Sequence, residues 1–193
     1  MGSDTGENKA VVEMVKRIEQ DDRALEDTVV KVYRSAKVVK GGRRFGFEAL
    51  VVVGDRAGSI GVGYGKANEV PAAVEKGIKD AKKALDRVSL VGTTIPHQVV
   101  GRCGATKIVL VPASPGTGVI AGPSARAVLE YAGVKDVLSK IYGSTSAKNV
   151  ARATMDALRS LRTRETIEQL RGVSLGPGKA QTGAEAEASH AES

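Results

Sequence analysis

The sequence predicts an α/β (α+β) chain organised as two small domains between acidic ends, and three observations carry that prediction. Residues 28–40 and 45–53 alternate apolar and polar positions about Gly41-Gly42, as the arms of a β-hairpin do. Residues 70–88 carry apolar side chains at helical spacing. From Val91 to Leu161, strand-like and helix-like segments alternate again behind a Gly- and Pro-containing passage. A chain of 193 residues suits one or two domains, and the repeated pattern favours two. The expected divisions are an acidic extension over 1–24, a first domain over 25–90, a second over 91–164, and a short helix with a disordered tail over 165–193.

Charge narrows the function. The formal net charge is +7, but residues 1–27 sum to −4 and residues 176–193 to −2, leaving +13 on residues 28–175. An excess spread along most of a body, rather than gathered in one pocket, favours nucleic acid over a small acidic substrate. Phe, Tyr and Trp together make up 3% of the chain, and Trp is absent. That argues against a binder that stacks successive bases on aromatic platforms and for recognition of shape and phosphate. The single cysteine, Cys103, excludes an intramolecular disulfide and a thiolate metal cluster. With no apolar run of about 18 residues and no charged-then-apolar leader, a soluble cytosolic protein without membrane contact is expected.

Taken in order, residues 1–24 show a weak helical pattern at Val11, Val12, Val15 and Ile18, to be read as a frayed extension or a docking helix. From Thr28 the first strand puts Val30, Val32, Ala36 and Val38 on one face and Lys31, Tyr33, Ser35 and Lys37 on the other, with Arg34 breaking the apolar face. The run Lys31–Phe45 holds six basic residues and no acidic one. Lys37, Lys40, Arg43 and Arg44 repel one another at the hairpin tip, and a polyanion converts that repulsion into binding energy. The alternative is a solvated charged turn.

The second strand gathers Phe45, Phe47, Ala49, Val51 and Val53 on one face. In the third strand, Ile60, Val62 and Tyr64 share a face, while Gly61, Gly63 and Gly65 leave the other without Cβ atoms. Such a face admits a close backbone, either a packed element or an RNA sugar-phosphate chain. The pattern is a poor match to a nucleotide loop: Lys66 stands where a dinucleotide fingerprint needs glycine, and Ile60 and Ala67 break the phosphate-loop pattern. Asn68 is placed to cap the following helix, with Pro71 in its first turn and Val70, Val74, Gly77, Ile78, Ala81, Leu85 and Val88 as its stripe. Its lysines fit a solvated face or a second phosphate contact, and periodicity does not separate the two.

In the second domain, strands near 95–100 and 106–111 are joined by Gly101–Gly104, which exposes Arg102. Residues 112–123 are too rich in Gly and Pro for regular structure, and Ser124 is placed to cap a helix bearing Val128, Leu129 and Ala132. A strand near 136–142 and a helix over about 146–161, with Val150, Ala153, Ala157, Leu158 and Leu161 inward, complete the unit. Only a short helical turn over Glu165–Arg171 follows. Chemistry is not in evidence: His97 at a strand edge and His190 in the tail make no metal pair, Ser114 is not in a nucleophile elbow, Cys103 lacks a His, and no carboxylates are apposed. Catalytic residues, metal ligands and cofactors are therefore expected to be none.

Val38-Val39-Lys40-Gly41-Gly42-Arg43, Val52-Val53-Gly54-Asp55, Gly63-Tyr64-Gly65-Lys66-Ala67 and Glu69-Val70-Pro71-Ala72-Ala73 follow one another in a recognisable order and spacing. So do Pro112-Ala113-Ser114, Gly116-Thr117-Gly118, Ile120-Ala121-Gly122, Arg126–Glu130 and Tyr142-Gly143-Ser144-Thr145. Over about residues 25–172 the chain closely resembles the family of the fifth protein of the bacterial small ribosomal subunit. The resemblance implies an N-terminal double-stranded-RNA-binding-like domain of three strands and a helix, and a C-terminal βαβ-type domain with a left-handed crossover, a handedness that periodicity does not reveal. It implies a non-enzymatic constituent of the small subunit that binds 16S-type rRNA, ties head to body, and tunes decoding accuracy. The implied partners are small-subunit rRNA and the fourth and eighth small-subunit proteins, with no homo-oligomer. Carried over by position, RNA contacts fall on Arg34, Lys37, Lys40, Gly41, Gly42 and Arg43, with Arg44 and Lys66 counted beside them, and the accuracy surface falls on Gly118 and Arg126. Without the resemblance, a free double-stranded-RNA-binding regulator ranks first and a nucleotide-using enzyme second.

Overall fold

The computed structural model describes residues 25–173; the expected N-terminal extension, most of the tail and His190 lie outside them. Two four-stranded sheets form one compact unit ending at Leu161. The first runs in the order β1 (Glu26–Val39), β2 (Gly42–Gly54), β3 (Ser59–Ala67), β4 (Leu85–Arg87), all antiparallel, with helix α1 (Val70–Lys83) packed on one face. The second has the order β5 (Val99–Cys103), β6 (Thr106–Pro112), β8 (Val137–Gly143), β7 (Val119–Ile120). Helix α2 (Pro123–Ala132) connects the parallel neighbours β7 and β8 as a βαβ unit, and α3 (Ala147–Arg159) packs on β5 and β6.

The centre of the molecule is β2. Ala49 to Val53 are all at most 1% exposed, so the strand is buried on both faces, not on one as alternation suggested. Ala49, Val51 and Val53 face Ala73 and Ala81 of α1. Leu50 and Val52, with Ile60 of β3, join a continuous core with Ile108, Leu110, Leu129 and Leu158.

On β3 the choice left open by its glycines is resolved in favour of a packed helix. A Cβ on Gly63 would run into the backbone of Gly77 and Ala81, and one on Gly65 would lie 2.5 Å from the Gly77 nitrogen. Small residues therefore make the helix contact, and Ala73, Gly77 and Ala81 are buried while Val74 and Ile78 flank them half-buried. Gly101 repeats the device: it lies in β5 rather than in the turn, with a Cβ there 2.7 Å from the Ala157 nitrogen of α3.

Several boundaries differ from expectation for identifiable reasons. Because β3 continues to Ala67 in register with Phe47, the chain reverses at Asn68-Glu69; Glu69 flanks the helix, and Asn68 caps nothing. The helix ends at Lys83, and Leu85 belongs to a fourth strand that pairs with Ser59–Gly61. Pro123 occupies the start of α2, which places Ser124 inside the helix and Gly122 at its cap. His97 lies in a bend ahead of β5, its Nδ1 2.9 Å from the Gln98 carbonyl oxygen. The Gly- and Pro-rich 112–123 stretch contains the two-residue β7.

Residues 162–173 belong to a separate unit. There α4 (Arg164–Arg171) begins at Thr163, whose Oγ1 accepts the Thr166 N–H at 3.3 Å, and Arg164 pairs with Glu168 at 3.0 Å.

Candidate nucleic-acid interface

The basic hairpin is longer than the sheet that carries it. β3 pairs with β2 only from Phe47 onward, whereas β1 and β2 stay in register from Ser35–Gly46 to Val39–Gly42. These last five pairs form a two-stranded ribbon projecting roughly 17 Å at 3.4 Å per residue. Its turn is Lys40-Gly41, one residue earlier than expected, because Gly42 already pairs with Val39. Every residue from Ala36 to Phe45 is exposed. No ion pair among the described residues engages Lys37, Lys40, Arg43 or Arg44.

The faces of β1 differ from the alternation read in the sequence. A bulge between Val29 and Lys31 resets the register, so Val30 and Tyr33 both turn toward the core while Val32, Arg34, Ala36 and Val38 are exposed. Arg34 lies over the Phe45 ring at 3.7 Å from its centroid. Lys66 is at the base of the ribbon and bonds Glu48 at 2.9 Å. Glu48 also accepts a hydrogen bond from the Tyr64 hydroxyl, and these two bonds, that from Tyr64 foremost, hold its carboxyl below the usual value. Burial first, then Glu48, pushes the Tyr64 hydroxyl up to about 12. Lys66 is therefore partly neutralised, unlike the tip. Ser35, Lys37, Arg44, Phe45 and Lys66 line an open groove of about 400 Å³ beside the ribbon.

Basic residues that the sequence reading did not gather appear on α3. Lys148 sits 3.7 Å from the Tyr64 ring centroid. Arg102, Arg152 and Arg159 line a second groove of about 370 Å³, where Asp156 accepts the Arg102 backbone N–H and Arg159 is bound at 2.8 Å and 2.5 Å by Asp86. Lys148, Arg152 and Arg159 fall on one face at helical spacing, a pattern legible in principle but unassignable until the helix is set against β3.

Gly118 and Arg126 lie at the other end of the second sheet. Gly118 has φ +79, and its N–H, like that of Gly116, bonds Asp136 Oδ1 at 3.0 Å. Asp136 is buried, and the N–H of Gly118, then Thr93, hold its carboxyl below the ordinary range against the opposing effect of burial. This buried carboxylate shapes the 112–118 loop, and sequence reasoning gave no sign of it. Arg126 is exposed near the start of α2, 3.4 Å from the Ala121 carbonyl, and lines a groove of about 390 Å³ with Arg56, Val119 and Lys135. Gly118 adjoins that groove through Val119 without lining it.

Ser114 is occupied in a turn, its carbonyl accepting both Thr117 donors. Among the described residues, no group of three or more His, Cys, Asp or Glu side chains is placed to hold a metal.

A two-sheet α+β scaffold presenting a basic ribbon whose tip cations have no acidic partner among the described residues marks a nucleic-acid-binding class. Comparison with known proteins gives the family. Residues 25–89 match the ribosomal protein S5 N-terminal domain, and residues 101–171 match the ribosomal protein S5 C-terminal domain. The small ribosomal subunit protein uS5 of Rubrobacter xylanophilus is 58% identical over 149 residues, which cover 77% of this chain and 74% of that protein. The chain belongs to the ribosomal protein S5 family, which is structural and not catalytic.

Proposed function

We propose that this protein acts in the small ribosomal subunit as a clamp on 16S-type rRNA, with the β1–β2 ribbon as its principal RNA contact. Family membership makes it a structural protein of the cytoplasmic ribosome, with RNA binding and translation as its setting. The finer assignment is ours. Arg34, Lys37, Lys40, Gly41, Gly42, Arg43 and Arg44 hold the RNA, with Lys66 in a lesser part because Glu48 already engages it. Reaching beyond its sheet, the ribbon binds the head while the second sheet rests on the body, which steadies one against the other. Gly118 and Arg126 face the fourth small-subunit protein and contribute to decoding accuracy, and the eighth protein is a further neighbour.

The observation that carries the reading is the projection of five strand pairs past β3 with four tip cations lacking an acidic partner among the described residues. Removing each phosphate-binding cation should flatten the dependence of log affinity on log salt by about 0.7–0.9. The experiment is a salt series of rRNA binding for the chain with Lys37, Lys40, Arg43 and Arg44 changed to Ala, alongside co-sedimentation with small subunits. An unchanged slope moves the RNA surface elsewhere, and failure to co-sediment at moderate salt points to a free double-stranded-RNA-binding regulator.

A further inference from the structure

The ribbon is two-faced, and its register determines which residues share a face. Successive side chains in a strand point to opposite sides. Lys37 stands opposite Arg44 and Val39 opposite Gly42 on one face; Ala36 stands opposite Phe45 and Val38 opposite Arg43 on the other. The second of these faces continues outward from Phe47, which packs in the cluster under α1. Two residues further out, Phe45 is 45% exposed with the Arg34 guanidinium stacked over its ring, and Val38 is 76% exposed.

Both faces cost the free protein something. Like charges placed directly across a strand pair destabilise it, and an exposed Phe beside an exposed Val leaves apolar surface in water at the least supported part of the fold. A single RNA strand answers both, with phosphates along one edge and base and ribose surfaces along the other. A Phe ring with a stacked guanidinium is a flat cationic platform of the kind that receives an unpaired base.

Resting on the reading of the hairpin as the rRNA contact, we propose a division of labour: the Lys37–Arg44 face holds phosphates, and the Val38–Phe45 face, with Arg34 on its ring, packs against a splayed nucleobase or its ribose. Lys37 and Arg44, with Lys40 in the turn and Arg43 at the tip, set the salt dependence. The Val38 and Phe45 side chains of the second face supply salt-independent affinity and the preference for one RNA site over others.

The test compares two paired variants of the full chain, Val38→Ser with Phe45→Ser and Lys37→Ser with Arg44→Ser, for binding to small-subunit rRNA between about 50 and 200 mM salt. The apolar-face pair is expected to lose about tenfold in affinity at every salt concentration with an unchanged slope, and to lose its preference over random duplex RNA. The charged-face pair should lower the slope. Phe45→Tyr keeps the platform and should bind as the parent does, which separates loss of the ring from general damage to the hairpin.

If the apolar-face pair keeps parental affinity, or lowers the slope as the charged-face pair does, the division is wrong while the hairpin remains the RNA contact. If the charged-face pair leaves the slope unaltered, the hairpin reading falls and the division with it. Loss of binding to anionic lipid vesicles with rRNA affinity intact would reassign the apolar face to a membrane surface and overturn the proposal.

Discussion

Gly63→Ala is the sharpest test of how the first sheet and its helix are held together. The substitution adds one carbon to a strand whose neighbour is helix backbone: the new Cβ would meet the Gly77 carbonyl oxygen and the Ala81 nitrogen inside van der Waals contact, and would lie 2.9 Å from the Ala81 Cβ. None of these atoms moves away by a change of rotamer, so α1 must retreat by about 1 Å or β3 must bend, loosening the packing of Ala73 and Ala81 on Val51 as well. Overpacking of this kind costs about 1–3 kcal/mol where side chains give way, and a backbone clash belongs at the upper end. A loss of about 3 kcal/mol lowers the melting temperature by roughly 6–12 °C in a chain of this size. Gly41→Ala is the matched control, since a Cβ there meets nothing within 4 Å, and it should shift stability by less than about 0.5 kcal/mol. Circular-dichroism melting of both variants decides the matter. A Gly63→Ala protein that melts with its parent but binds rRNA poorly would mean that the glycine face serves RNA and not α1.

Three further outcomes are expected. Asp136→Asn should lower the melting temperature by a few degrees at neutral pH by weakening charge-assisted bonds to the 112–118 loop; because the folded carboxyl lies below the ordinary 3.8, that stabilisation is full above 3.8 and is lost as acid titrates the folded group, so melting curves of parent and variant should converge at low pH. Tyr64, pushed up to about 12, contributes stability that is intact below pH 10 and lost as pH rises from 10 toward 12; Tyr64→Phe should show a flatter alkaline melting profile, and an unaltered profile would dismiss the Glu48–Tyr64 bond as a source of stability. Arg126→Leu should change stability by less than about 0.5 kcal/mol, enter small subunits normally and raise stop-codon readthrough, and normal incorporation with unaltered readthrough would remove Arg126 from the accuracy surface.

The sequence was most informative where one physical requirement dominates. Alternation, a turn pair and a run of cations placed the ends of the hairpin's arms within three residues, because period-two patterning and charge are local properties. It was less informative where a long-range partner decides. The bulge at Val29–Lys31 moves Tyr33 inward and Val32 outward, and nothing in residues 28–38 announces an extra residue in one arm. Asn68 and Ser124 have the chemistry of caps, yet the length of β3 and the position of Pro123 set the helix starts. Asp136 carries no motif, and its role appears only when Gly116 and Gly118 fold back onto it.

The two-sided burial of β2 links these local features to function. Leu50 and Val52 anchor the strand in the core shared with the second sheet, and Ala49, Val51 and Val53 anchor the same strand under α1. A strand held on both faces from Ala49 to Val53 is a rigid base from which its outer half, Gly42 to Gly46, extends without a third strand beside it. Replacing Leu50 with Ala should cost about 2–5 kcal/mol, because it empties volume where the strand has no solvent side toward which to relax. Its effect on rRNA binding should be to weaken affinity through a less ordered ribbon while the salt slope stays as in the parent, since every cation is retained. A Leu50→Ala protein that is destabilised but binds with parental affinity would show that the ribbon orders on the RNA itself and needs no rigid base.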